Sequence, residues 1–239
     1  MNIGWNRHRV FAMAIVAALV LPAVVFAAGA QGDWLTGGQN QDDSRYQAAE
    51  KTIGTANVGT LAPAWSFLTG ADFASGGDVS ATPAVDGRMI YFPDSKGHLF
   101  ALDAASHAVV WQQSFATITG IAGDYARATP AIQGQVLVIG DQAGKFETEA
   151  TPSALAGAYV MGFDKATGAL LWKTKVDSHF TAMVTASAQV NGDTAYVGVA
   201  SNEELYAAKY LLQNNYQCCS FRGSVLALDV KTGAIKWKT

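Results

Sequence analysis

Cysteine is nearly missing from this chain of 239 residues: there are two, Cys218 and Cys219, and they are neighbours. That excludes a disulfide framework joining distant segments, and it excludes a Cys-x-x-Cys-His site for covalent haem. Histidine is scarce as well, and His98, His107 and His179 show no metal-ligand spacing to the cysteine pair. Charge of one sign is lacking too, since 16 Lys and Arg stand against 19 Asp and Glu for a formal net charge of −3. Nothing suggests a phosphate-binding surface, so nucleic acid is not an expected partner. Helix-like periodicity is sparse, and after residue 30 no apolar run is long enough to span a bilayer. An all-β class is the natural expectation.

What is present begins at the N-terminus. Arg7, His8 and Arg9 precede an almost wholly apolar run from Val10 to Ala28, and Ala28-Gly29-Ala30 supplies small residues before Gln31. This pattern predicts a cleaved secretory signal over residues 1–30. Pro22 and the alanine-rich composition weigh against the competing reading, a retained anchor. Cleavage removes two arginines and no acid, moving the formal charge from −3 to −5. The mature chain, residues 31–239, is then expected in an oxidising space, where adjacent thiols are free to form a disulfide.

Internal repetition supplies the architecture. Three segments, at about 81–111, 128–172 and 185–237, share one template. Each opens on a short strand such as Thr-Pro-Ala-Val and closes on an Asp that precedes a Trp by eight residues: Asp103 and Trp111, Asp164 and Trp172, Asp229 and Trp237. Asp86-Gly87, Gln133-Gly134 and Asn191-Gly192 mark the first turn of each repeat, while Thr167-Gly168 and Thr232-Gly233 mark the last. The first repeat has Ser106-His107 at that last turn, which predicts a looser connection there. A four-stranded antiparallel meander repeated in this way is a β-propeller blade, with one Trp as the wedge between neighbouring sheets.

The closing "ALDVKTGAIKW" resembles the tryptophan-docking motif of the pyrroloquinoline quinone (PQQ) type propellers. "DWLTGGQNQDDSRYQ" from Asp33 and "ANVGTLAPAWSF" from Ala56 are similar to the N-terminal entry of the quinoprotein alcohol dehydrogenases. "VGVASNEE" and "CCSFRGSVLALDVKTGAIKWKT" look most like the polyvinyl alcohol dehydrogenase branch. The resemblance runs from about Asp33 to Thr239. It implies about eight blades, of which three are visible, so the chain is expected to be an N-terminal portion, truncated and inactive by itself. It also implies that the strand near 61–68, around Trp65, completes the last blade. The same repeat builds a non-enzymatic outer-membrane assembly protein, so a propeller scaffold for protein partners stays open as the alternative function.

Successive connections in a meander alternate between two ends, so those after strands two and four share one end. The long ones all fall there: Gln142 to Gly157, Ala200 to Gly223, Gln112 to Arg127 and Lys173 to Thr185. That end is where binding is expected. Cys218 and Cys219 lie on it. Adjacent Cα atoms sit about 3.8 Å apart across a trans peptide, below the usual disulfide range of about 4.4 to 6.8 Å. Two reduced thiols without a role, or a metal-binding pair, are the other readings. The resemblance implies a vicinal disulfide packed flat on the quinone.

Arg222 and Arg127 are candidates to pair a quinone carboxylate or carbonyl, against the alternative of solvated loop arginines. Glu203 and Glu204 offer hard oxygen ligands for the Ca²⁺ that the resemblance implies, against plain surface charge. His179 reads as a structural hydrogen-bonder more readily than as a proton-transfer group. Asp78 and Asp141 are loop acids without independent support, and Tyr125 and Thr185 are at most pocket lining. By resemblance, PQQ takes hydride from an alcohol and Ca²⁺ polarises its carbonyl. No catalytic base is assigned within this chain. The implied location is the periplasm, the implied substrate a secondary alcohol such as polyvinyl alcohol, and the implied electron acceptor a separate cytochrome c.

Overall fold

The computed structural model describes residues 32–142, 158–214, 216 and 218–239. The expected signal segment, and most of the connection from Gln142 to Gly157, lie outside the described residues. The first repeat forms β1 (Ala84–Asp86), β2 (Met89–Pro93), β3 (His98–Asp103) and β4 (Val109–Ser114). The second forms β5 (Ala131–Gln133), β6 (Val136–Gly140), β7 (Tyr159–Asp164) and β8 (Leu170–Lys175). After the two-residue β9 (Ala182–Met183), the third forms β10 (Gln189–Asn191), β11 (Thr194–Ser201), β12 (Ser224–Asp229) and β13 (Ile235–Lys238). Each repeat is one antiparallel meander in sequence order, and β9 adds a short pairing to the far end of β11.

The hairpin turns behave as their composition requires. Gly87, Gly134 and Gly192 have φ of 58°, 58° and 61°, the left-handed region that two-residue turns demand. Burial follows position within the blade. The four interior residues of β3 and of β7 are buried on both faces, whereas β4 and β8 are largely exposed apart from Trp111 and Trp172. Apolar side chains fill the gaps between blades. Tyr91, Leu99 and Trp111 of the first meet Leu137, Ile139 and Phe163 of the second, while Val138, Val160 and Trp172 meet Val197, Leu226 and Leu228 of the third.

The spacing of Asp and Trp acquires its reason here. Asp164 caps the turn that follows it: Oδ1 accepts from the amides of Ala166 and Thr167 and from the Thr167 hydroxyl. Asp229 does the same with Lys231 and Thr232. The Trp of each of the first two repeats then reaches the capped turn of the next blade. Trp111 Nε1 donates to Lys165 O at 2.9 Å, and Trp172 Nε1 donates to Val230 O at 2.8 Å. Their rings lie over Gly168 and Gly233, where a Cβ would come within 2.6 and 2.4 Å of indole carbon.

The turn of the first blade departs from the looser connection expected of Ser106-His107. Asp103 caps it with the Ala105 and Ser106 amides and the Ser106 hydroxyl, and His107 takes φ 60° where the other blades place glycine. The Trp65 ring stacks on the imidazole at 4.4 Å and 25°. Capping by Asp103 and stacking by Trp65 hold the turn despite the missing glycine.

The N-terminal segment straps the three blades together. Trp34 and Val85 exchange backbone hydrogen bonds at 2.8 and 2.9 Å, Leu35 O accepts from Ile132 N, and the Thr36 hydroxyl donates to Ala188 O. One extended run thus touches the first strand of the first two blades and the approach to the third. A second difference from expectation is α2 (Glu203–Asn214), a helix within the insertion expected to be loop; the shorter α1 (Phe115–Thr119) follows β4. The α2 segment is rich in Glu, Leu, Ala, Lys and Gln, all good helix formers.

Removing an indole that both fills the gap and satisfies a carbonyl is expected to be costly. Trp172→Ala should lower the unfolding free energy by about 3–5 kcal/mol, and Gly233→Ala by more than about 1 kcal/mol. Lys231→Ala, on an exposed part of the same turn, should stay within about 0.5 kcal/mol. Urea unfolding checks all three, and equal midpoints for Trp172→Ala and Lys231→Ala would refute this account of the docking.

Candidate active-site end

The long connections meet as strand parity predicts. Gln142 N, after β6, donates to Tyr125 O in the connection after β4, at 2.7 Å. His179 Nε2, after β8, lies 3.0 Å from Ser220 Oγ in the connection between β11 and β12.

Cys218 and Cys219 are joined by a disulfide, and both are exposed. The peptide bond between them is cis, with the Cα atoms 3.1 Å apart, which corrects the separation expected for a trans peptide. Glu203 is the residue that holds their loop. Its side chain is buried rather than displayed as surface charge, at 1% exposure, in the first turn of α2. Oε1 accepts from the Tyr216 hydroxyl, from Ser220 N at 2.6 Å and from Ser220 Oγ at 2.9 Å; Oε2 accepts from Phe221 N at 2.8 Å. These donors flank the cysteine pair on both sides, so one carboxylate clamps the segment that carries it. Burial pushes the Glu203 carboxyl upward, but the Tyr216, Ser220 and Phe221 donors outweigh it and hold the group at about 2. An anion in the first turn also suits the positive end of the helix. One Glu203 carboxylate oxygen and the two sulfurs lie within 4.8 Å of one another.

His179 belongs to the same cluster. Thr181 N donates to its Nδ1 at 3.3 Å, which makes Nδ1 the acceptor and leaves the proton on Nε2, aimed at Ser220 Oγ. Phe180, Tyr206 and Tyr216 pack edge to face beneath it. In this structure His179 bridges Thr181 and Ser220 by hydrogen bonds.

The other expected residues divide. Arg222 is exposed, and its Nη1 donates to Cys219 O at 3.2 Å and Phe221 O at 2.7 Å, bracing its own loop. Glu204 is exposed. Arg127 lies in a polar cleft of about 610 Å³ with Arg45, Ser80, Thr129, Thr185 and Ser187, where the approaches to β1, β5 and β10 converge. Asp78 is an exposed loop residue whose amide donates to Ser95 Oγ. Asp141 is fully buried. Its Oδ1 accepts from Tyr159 N at 2.7 Å, and burial, followed by the charge of the buried Asp124, pushes its carboxyl well above the usual range. The repeat carries a signal for that burial: Asp141 follows β6 as Asp94 follows β2, and Asp94 is also buried, accepting from the Lys96 and His98 amides.

Comparison with known proteins adds to this geometry. Residues 34–238 match the family model described as PQQ: glucose/ethanol/alcohol dehydrogenase, beta-propeller domain. The chain belongs to this PQQ β-propeller family. It is 27% identical over 210 residues to a polyvinylalcohol dehydrogenase of Sphingopyxis sp. (strain 113P3), covering 88% of this chain and 28% of the relative. It is 26% identical over 241 residues to methanol dehydrogenase [cytochrome c] subunit 1 of Methylobacterium organophilum, covering 95% of this chain and 34% of the relative. Among solved structures, a europium-containing methanol dehydrogenase superposes with a TM-score of 0.61 at 26% identity, covering 87% of this chain and 32% of that one. The chain therefore spans about a third or less of the length of these relatives. No helix among the described residues is long and apolar enough to cross a membrane.

The clamp can be tested by hydrogen exchange. Glu203→Ala should speed exchange of the Ser220 and Phe221 amides by at least about tenfold, because hydrogen bonds to a charged acceptor contribute about 1.5–3 kcal/mol. Amides of β7 should be unaffected. A carboxyl depressed from 4.5 to about 2 contributes stability that is fully present above pH 4.5. Protection of the two amides, corrected for intrinsic exchange, should therefore fall as pH drops from about 4.5 towards 2. Protection that is constant over that window would refute the clamp.

Proposed function

We propose that this chain is the N-terminal three-blade portion of a periplasmic PQQ-dependent dehydrogenase that oxidises a secondary alcohol, with polyvinyl alcohol the favoured class. The observation that carries the reading is the exposed vicinal disulfide on the end of the blades where the long connections meet. Membership of the PQQ family and the likeness to polyvinylalcohol dehydrogenases support it.

The residues present suit the cofactors in chemistry. A disulfide ring is polarizable and exposed, as a face for a planar quinone should be. The Arg222 guanidinium uses one nitrogen on backbone carbonyls, and its remaining donors suit a carboxylate. Arg127 would meet an anionic group only from the polar cleft. For Ca²⁺ we favour Glu203 over Glu204, because Glu203 Oε2 accepts one hydrogen bond and keeps a further lone pair. When bound, PQQ would supply the hydride acceptor. The chain's own residues orient it: the Glu203 clamp fixes the cysteine loop, and Arg222 braces that loop from outside. A separate cytochrome c is the proposed electron acceptor, in keeping with the name of the methanol dehydrogenase relative. The catalytic base and further metal ligands are proposed to lie outside this chain.

Without those groups, the chain alone should bind PQQ weakly and show no alcohol-dependent dye reduction with Ca²⁺ added. A form extended through further blades should do both. In the extended form, Cys218→Ala with Cys219→Ala should lower activity by about tenfold or more, corresponding to a sulfur–ring contact of about 1.4 kcal/mol. Lys231→Ala, on the opposite end, should leave it unchanged. Equal losses from the two changes, or full activity of the three-blade chain, would overturn the placement of the site.

A further inference from the structure

The same cluster contains a second chemistry that stacking on a quinone does not use. In the disulfide state the hard ligand beside the pair is the Glu203 carboxylate, and a disulfide sulfur is a poor donor to a cation. Two-electron reduction changes the donor set. We infer that reduction converts Cys218, Cys219 and Glu203 into a site for one thiophilic divalent cation of the zinc and cadmium class, so that this loop is a redox-gated metal site.

The geometry supports the inference in three ways. One Glu203 carboxylate oxygen and both Sγ atoms lie within 4.8 Å of one another. Ligand atoms around a tetrahedral zinc lie about 3.5 Å apart, given bonds of about 2.3 Å to sulfur and about 2.0–2.2 Å to oxygen. Breaking the sulfur–sulfur bond lets the two sulfurs move apart to that spacing, and a closure of roughly one ångström completes the set with Glu203. The carboxylate is already positioned beside the sulfurs by donors on either side of the pair, Tyr216 before it and Ser220 and Phe221 after it. Its Oε2, with a single donor, has the capacity. Both cysteines are exposed, which gives a reductant and a cation access, and a fourth position is left for water.

The step balances with a small dithiol as reductant. Its two thiols transfer two electrons and two protons to the disulfide and leave as a new disulfide, giving Cys218–SH and Cys219–SH. The cation then displaces both thiol protons to solvent and bonds the two thiolates and Glu203. Metal binding in turn opposes re-oxidation, because the ion binds only the reduced form.

The test is a Cd²⁺ titration of the three-blade chain, oxidised or reduced by a dithiol that is then removed, read by the ultraviolet thiolate-to-cadmium band. The reduced chain should bind one Cd²⁺ and become protected from alkylation at both thiols; the oxidised chain should show no band. Cys218→Ser should abolish the band, Glu203→Gln should weaken binding by at least about tenfold, and Glu204→Gln should not change it. Should Glu203→Gln disturb folding, the amide resonance of Phe221, whose proton is donated to Oε2, is followed in the unmodified chain and should shift on Cd²⁺ addition. No band in the reduced chain, undiminished affinity in a folded Glu203→Gln variant, or an unmoved Phe221 resonance would overturn the inference. No quinone is present in the titration, so its failure leaves the PQQ reading standing, and failure of the PQQ reading leaves the titration interpretable.

Discussion

Everything else in the structure depends on an indole of one blade seated on the capped turn of the next. The contact needs three things at once: an Asp that folds the turn through its carboxylate, a glycine without a Cβ beneath the ring, and an indole N–H that finds the carbonyl just past the Asp. Phenylalanine could fill the volume but would leave Lys165 O or Val230 O without its indole donor. The same contact therefore ties each sheet to the next in chain order, since the indole N–H of Trp111 and that of Trp172 each bond to the blade that follows.

With the sheets so held, their ends become fixed platforms. The connections after β8 and β11 are brought close enough for His179 and Ser220 to bond, and the buried Glu203 gathers the loop around the cysteines. A buried carboxylate without donors would be expelled or protonated, so the Tyr216, Ser220 and Phe221 donors are the condition for its burial. The strap from Trp34 to Thr36 adds a second tie, through backbone hydrogen bonds to β1 and β5 and the Thr36 hydroxyl bond ahead of β10.

Part of the site is legible in the order of residues alone. Strand parity puts the cysteine loop and the His179 connection on one end because alternation in a meander needs only element order. Other features are hidden. Glu203 reads either as a cation ligand or as surface charge, and its burial is hidden because two of its four donors are backbone amides, which carry no residue-type signature. His107 reads as a weak turn because the ring that stabilises it, Trp65, lies 42 positions earlier in the chain. Asp141 reads as a loop acid, although its repeat partner Asp94 marks the same place in the template.

The blade, its glycine turns, its wedge residues and the end that carries the long connections follow from the amino-acid sequence, because each depends on local chemistry repeated at a constant spacing. Which groups share a site is instead a matter of packing in three dimensions. Packing joins Glu203 to the cysteines and His179, and it puts Arg127 in the cleft where the approaches to β1, β5 and β10 converge. The physical reason is that hydrogen bonding to backbone and burial between connections are properties of position in space, and residues far apart in the chain acquire them only when the blades pack.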